Sequence, residues 1–240
     1  MQLKQRKRMN SFNLKLKEKT PLSKTVLKLV FDLSGHDFEY KAGQFVMVNI
    51  DDKIKRAYSI ASAPCFSKNE LVFIIDTAPG GIGSDYFKKL SIGDIISFNG
   101  PFGKFGLSEY LEKDLYFIAT GTGIAPLISM IDELSVMKES EMKRIHLILG
   151  TRTIDDLIYK DWALNLLENG KIDSYNVYLS RDISTENNIH KGYVSDHFSK
   201  IINLENSQYF LCGRRQIIED IRDKLLNLNV KKDYIFTEGF

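Results

Sequence analysis

Leu115-Tyr116-Phe117-Ile118-Ala119-Thr120-Gly121-Thr122-Gly123-Ile124-Ala125-Pro126 decides how this chain of 240 residues is read. Leu115 to Ala119 is an unbroken apolar run, as expected of a strand covered on both faces of a parallel sheet. A glycine turn follows at once. Pro126 to Met137 then spaces Leu127, Met130, Ile131 and Leu134 as one face of a helix. Strand, glycine turn and helix in that order open an α/β unit, and open α/β sheets bind nucleotides at the carboxyl end of such a strand. A lone Gly-x-Gly is a weak signal and lacks the three-glycine dinucleotide fingerprint. Its place between strand and helix strengthens it.

Downstream the alternation continues. Strands are predicted over Ile145–Leu149, Asn176–Leu179, Tyr209–Leu211 and Tyr234–Thr237, and helices over Asp155–Glu168, Ser195–Ile202 and Gln216–Leu226. This pattern predicts a doubly wound parallel sheet. Upstream the period is two. Phe12–Lys19, Thr25–Phe31, Phe45–Ile50, the Arg56 segment, Leu71–Asp76 and Ile95–Asn99 read as six short strands, with turns at Ser34-Gly35-His36-Asp37, Lys41-Ala42-Gly43-Gln44 and Asp51-Asp52-Lys53. They predict an antiparallel barrel or sandwich. One helix, Ser84–Leu90, interrupts them. The boundary falls between Leu107 and Lys113, dividing the chain into domains 1–110 and 111–240. No internal repeat or low-complexity linker is present.

The charge is nearly balanced at +2, which makes no case for nucleic acid as a partner. The basic run Lys4, Arg6, Lys7, Arg8 reads as a solvated arm. No apolar run reaches the ~20 residues a membrane span needs, and no secretory signal is visible. Two cysteines, Cys65 and Cys212, make no disulfide framework, so the expected location is the cytoplasm. They are too few for a four-thiolate iron–sulfur cluster or an all-thiolate zinc. His190 and His197 come with no other ligand pattern, so no metal is expected.

Three features suit phosphates. Gly80-Gly81-Ile82-Gly83-Ser84 precedes the small helix, whose start offers free N–H groups, with Ser84 as N-cap or phosphate donor. Its plain alternative is a glycine-rich loop capping a helix. Arg56-Ala57-Tyr58-Ser59 joins a guanidinium to a stackable ring; strand alternation puts Arg56 and Tyr58 on one face, and its plain alternative is an edge strand with an exposed Arg. The parallel strands end in Gly150-Thr151-Arg152, Ser180-Arg181-Asp182 and Cys212-Gly213-Arg214-Arg215. In a doubly wound sheet these ends share one edge, so their arginines gather there. Any one of them alone reads as a solvated strand end.

Taken together and in order, Arg56-Ala57-Tyr58-Ser59, Gly83-Ser84, Gly100-Pro101-Phe102-Gly103, Gly121-Thr122-Gly123-Ile124-Ala125-Pro126, Gly150-Thr151-Arg152 with Asp156-Leu157-Ile158-Tyr159, Cys212-Gly213 and Glu238-Gly239-Phe240 resemble the ferredoxin–NADP reductase family of flavoproteins. The resemblance implies a six-stranded Greek-key barrel holding FAD, followed by a doubly wound domain holding NAD(P)H. Arg56, Gly83 and Ser84 would hold the FAD pyrophosphate. Tyr58 would stack on the flavin, Ser59 would lie near its hydride-accepting nitrogen, and Ile75, Thr77 and Ile82 would complete the flavin contacts. Thr122 would lie between the two cofactors, and Gly121, Thr151, Arg152, Ser180, Arg181 and Gly213 would contact the nicotinamide nucleotide. Cys212 and Glu238 would flank the reaction centre, and Phe240 would cover the second flavin face and swing aside. Alone, Cys212 reads as a buried hydrophobe and Phe240 as a plug. Phe240 stands where plant-type members carry Tyr, and Ile217 where they usually carry Met. Ser180-Arg181, with Arg214 or Arg215, suits a 2′-phosphate, so NADP(H) is expected; Asp182 suits ribose hydroxyls, so NAD(H) stays open. The implied partner is ferredoxin or flavodoxin. An oxygenase reductase component, a free-flavin reductase and a non-catalytic module are the alternatives.

Overall fold

The structure, a computed structural model, describes residues 10–67, 69–137 and 143–240. The basic run from Lys4 to Arg8 lies outside them. The first half contains β1 (Asn10–Pro21), β2 (Val26–Asp32), β3 (Phe45–Asn49), β4 (Lys55–Ser59), β5 (Glu70–Asp76), α1 (Gly81–Lys89) and β6 (Ile95–Phe102). The strands form one antiparallel sheet in the order β4-β3-β6-β1-β2-β5. Its two edges meet where Ala61, just past β4, donates its N–H to the Val72 carbonyl of β5 at 2.8 Å. The sheet therefore closes as a Greek-key barrel. Alternation explains its filling: Leu14 and Leu16, Leu29 and Phe31, Val46 and Val48, Leu71 and Phe73 point inward and are at most 1% exposed. The Phe98 ring fixes the centre, edge-on to Phe31 at 5.0 Å and stacked on Phe73 at 5.6 Å.

The second half contains β7 (Asp114–Thr120), α2 (Ile124–Leu134), β8 (Arg144–Thr151), α3 (Lys160–Glu168), β9 (Ser174–Leu179), β10 (Ile189–Lys191), β11 (Ser207–Gly213), α4 (Arg215–Asn227) and β12 (Ile235–Gly239). Its sheet is parallel throughout, in the order β10-β9-β8-β7-β11-β12. The strand order reverses at β7. A crevice for a nucleotide opens at such a reversal, outside the carboxyl end of the strand. β7 is covered by helices on both faces, and α2 lays Leu127, Met130, Ile131 and Leu134, all fully buried, against it. Val26, Ala42, Ala61, Ile74 and Phe105 of the first half belong to this same core. The two halves thus share apolar packing.

Four predicted elements are corrected. α1 begins at Gly81, three residues before Ser84, and its N-cap is Gly80 with no side-chain cap bond. Positive φ at Gly80 (71°) and Gly81 (84°) turns the chain into the helix, a conformation that serine resists. Ser84 is buried inside the helix and is not its cap. α2 begins at Ile124, behind a single 3₁₀ turn over Gly121–Gly123. Pro126 sits in its first turn, where a missing N–H costs nothing. The helix expected over Asp155–Glu168 is broken: a 3₁₀ turn spans Ile154–Asp156, and α3 starts only after Tyr159, which adopts φ 60°. Burying Ile158 and packing Tyr159 on the core requires that extended interruption. The Ser195–Ile202 helix is a 3₁₀ segment over Val194–Lys200. β10, three residues long, gave no period to read.

Candidate functional site at the barrel–sheet cleft

The barrel contributes an edge. β4 is the outermost strand, so its groups stay available to something other than protein. Arg56 and Tyr58 do share a face, and α1 lies against them at Gly83. A Cβ at Gly83 would stand 3.3 Å from Tyr58 Oη and 3.7 Å from Arg56 Cγ. Arg56 is exposed, with Nη1 donating to the Lys55 carbonyl at 3.0 Å. The Tyr58 ring is set edge-on to Phe87, 4.9 Å between centroids. Burial pushes its hydroxyl up to about 12, against the pull of Arg56, so the ring stays neutral. Ile82 is exposed at the start of α1.

The sheet contributes the turn after β7. Gly121 has φ 55°, and Gly123 touches the main chain of β11 so closely that a Cβ would fall 2.2 Å from the Cys212 carbonyl oxygen. Gly213, φ 152°, is pressed in turn on Thr120; a Cβ there would fall 2.2 Å from Thr120 Oγ1. The two glycines interlock the ends of β7 and β11. Thr120 Oγ1 is buried without a hydrogen-bond partner. Thr120 carries no motif signal of its own beyond its place ahead of Gly121.

One of the hydrogen bonds that join the two halves lies at this site. Ser59 Oγ, at the end of β4, donates to Glu238 Oε2 of β12 at 3.2 Å. Glu238 lies beside Cys212 in the β11–β12 register. Burial raises the Glu238 carboxyl to about 7, and the Ser59 hydroxyl opposes that rise. Cys212 is fully buried; burial first, and the Glu238 charge second, hold its thiol well above the usual range. Both effects favour the protonated thiol.

The remaining expected residues divide. Thr151 ends β8 and Arg152 follows it, Ser180 and Arg181 follow β9, and their main chains are hydrogen-bonded to one another. Arg152, Arg181, Arg214 and Arg215 are exposed along the same edge. Phe240 N–H donates to the Gly213 carbonyl at 3.1 Å, and the residue is 61% exposed. Ile75 instead lies in the barrel core, 2% exposed. The Thr77 hydroxyl is committed to the Thr25 carbonyl at 2.8 Å. Inward alternation on β5 explains Ile75, so only main chain is left there to meet a cofactor. A groove of about 770 Å³, between Val194–Lys200 and α4, is lined by Phe198, Leu204, Lys224 and Leu228 and by none of these residues. Among the described residues no cluster of three or more His, Cys, Asp or Glu could hold a metal, and no helix is long and apolar enough to cross a membrane.

The description "Oxidoreductase FAD-binding domain" matches residues 13–107, and "Oxidoreductase NAD-binding domain" matches residues 117–223. The chain belongs to the ferredoxin–NADP reductase family. Ferredoxin–NADP reductase B of Sorangium cellulosum is 29% identical over 241 residues, covering 95% of this chain and 97% of that protein. The electron transfer component of anthranilate 1,2-dioxygenase from Acinetobacter baylyi is 30% identical over 224 residues; the match covers 91% of this chain and 64% of that longer protein. Among solved structures, a ferredoxin NADP+ reductase from Neisseria gonorrhoeae with bound FAD and NADP superposes with a TM-score of 0.83 at 20% identity, over 95% of this chain and 98% of that one. These likenesses place the Greek-key barrel and the parallel sheet in the family's two-domain fold.

The residues of this family member fit its two cofactors. On the barrel side stand an exposed guanidinium, a neutral ring and a helix start without a side-chain cap, with no side chain at Gly83 to bar a diphosphate. On the sheet side, Arg152, Arg181, Arg214 and Arg215 are exposed at the strand ends beside the strand-order reversal, a charge set that suits nucleotide phosphates.

Proposed function

We propose that this oxidoreductase accepts reducing equivalents from a nicotinamide dinucleotide, NADP(H) in preference to NAD(H), and delivers them singly to ferredoxin or flavodoxin in the cytoplasm. FAD, when bound, would supply the redox chemistry: a two-electron hydride accepted from nicotinamide and two single electrons passed on. The chain's own share is position and charge. Arg56 and the start of α1, with Gly83 and Ser84, hold the diphosphate of FAD in the domain formed by residues 1–110. Tyr58 flanks the flavin ring and Phe240 covers its other face. Thr122, Thr151, Arg152, Ser180 and Arg181 hold the nucleotide in the domain formed by residues 111–240. Cys212 fills the centre with uncharged bulk, and Ser59 and Glu238 hold a proton between them.

One observation carries this reading: the 3.2 Å hydrogen bond from Ser59 to Glu238, which brings the flavin-side strand and the nucleotide-side sheet edge into contact beside Cys212. The test is the visible spectrum of the purified chain, then titration with NADPH and NADH and turnover with ferricyanide. A yellow protein bleached by NADPH is expected. A preparation that never takes up FAD sinks the proposal. The identity to a dioxygenase electron transfer component favours a second reading, an oxygenase reductase, which reduction of candidate carrier proteins separates from the first.

A further inference from the structure

The carboxyl ends of β8 and β9 are joined beyond the sheet. Ser180 N–H donates to the Thr151 carbonyl at 3.1 Å, and Arg181 N–H to the Arg152 carbonyl at 2.9 Å. A third bond runs the other way: Ile154 N–H donates to Asp182 Oδ2 at 2.9 Å. Ile154 opens the 3₁₀ turn Ile154–Asp156, which Thr153 also steadies by donating its hydroxyl to Asp156 Oδ2 at 2.8 Å. The first N–H groups of a helical turn have no partner inside it, and a carboxylate is a strong acceptor for them. Asp182 therefore caps, from the neighbouring strand end, the turn that follows Arg152.

In dinucleotide-binding sheets an acidic residue at a strand end ordinarily serves the ribose hydroxyls. Here one carboxylate oxygen is committed to main chain, while Arg152 and Arg181 stay exposed on the two strand ends it ties together. We propose that Asp182 is a positioning residue for nucleotide choice, clipping the Arg152 loop to the Arg181 loop so that both guanidinium groups face one 2′-phosphate. This rests on the nicotinamide-nucleotide reading of the cleft. Guanidinium discriminates through geometry as well as charge, so a loosened loop loses selectivity before it loses binding.

The test uses the full chain with 2′,5′-ADP and 5′-AMP as probes, which report the nucleotide subsite without flavin or turnover. Wild type is expected to bind 2′,5′-ADP about tenfold or more tightly than 5′-AMP. Asp182→Ala is expected to erase most of that preference by weakening 2′,5′-ADP alone. It is also expected to speed hydrogen exchange of the Ile154 amide by about tenfold or more. Asp182→Asn keeps an oxygen that accepts from Ile154, so both readouts stay within about twofold of wild type. Unchanged Ile154 exchange in Asp182→Ala overturns the clip. So does Asp182→Asn failing as Asp182→Ala does. Weaker 5′-AMP binding, or tighter 2′,5′-ADP binding, in Asp182→Ala overturns it as well, by placing the carboxylate at the ribose. A wild type without preference for 2′,5′-ADP overturns the role in selection. None of these results touches FAD uptake, which judges the flavin reading separately.

Discussion

A carboxyl group raised to about 7 from an ordinary 4.5 binds its proton more tightly in the folded chain than in the unfolded one. For Glu238 the gain in stability is therefore complete below the unfolded value and drains away as pH climbs through 7. Glu238→Gln has no such proton to lose. Thermal melts at pH 5 and pH 8.5 are expected to show wild type losing stability relative to Glu238→Gln between the two. The pH profile of NADPH oxidation is expected to lose a limb near 7 in the same variant. Parallel melts at both pH values would contradict the raised carboxyl. Its partner was not legible from spacing, since Ser59 and Glu238 lie 179 positions apart and no local period links them. Each residue entered through the family motif around it; their hydrogen bond is a product of how barrel and sheet pack.

At the level of elements, the buried strand β7 was readable because a strand covered on both faces cannot hide its composition. Helix starts were harder. Serine outranks glycine as a cap in general, yet here two glycines with positive φ make the entry to α1, and that conformational demand leaves no periodic trace. The break before α3 was hidden for a related reason: Ile158 and Tyr159 fit a helical pattern as well as they fit the core they actually fill. The glycine turn after β7 was legible as a motif, but its reason was not. Gly123 is small because the β11 main chain occupies the place of a side chain. Gly123→Ala is expected to cost on the order of 3 kcal/mol or more, since the obstacle is backbone and cannot rotate away. Urea unfolding measures it, and a variant within about 0.5 kcal/mol of wild type would refute the close approach.

For the molecule as a whole, the short stretch from Ser59 to Ser62 is fastened to the second half at both ends. Ser59 reaches Glu238, and the Ser62 carbonyl accepts from Ser129 Oγ of α2 at 2.7 Å and from Tyr40 Oη at 3.0 Å. Ser129→Ala leaves Tyr40 in place, so no acceptor is stranded and the expected loss is about 1 kcal/mol, not the larger penalty of an orphaned group. Chemical unfolding that shows no loss would remove Ser129 from the fastening. The apolar packing across the halves extends the same theme. Severed near residue 110, the flavin-side piece would carry Ala42, Ala61 and Phe105 into water, and the other piece would bare the surface they had covered. Neither fragment inherits a finished exterior, so what reads as two modules along the chain comes apart as one body.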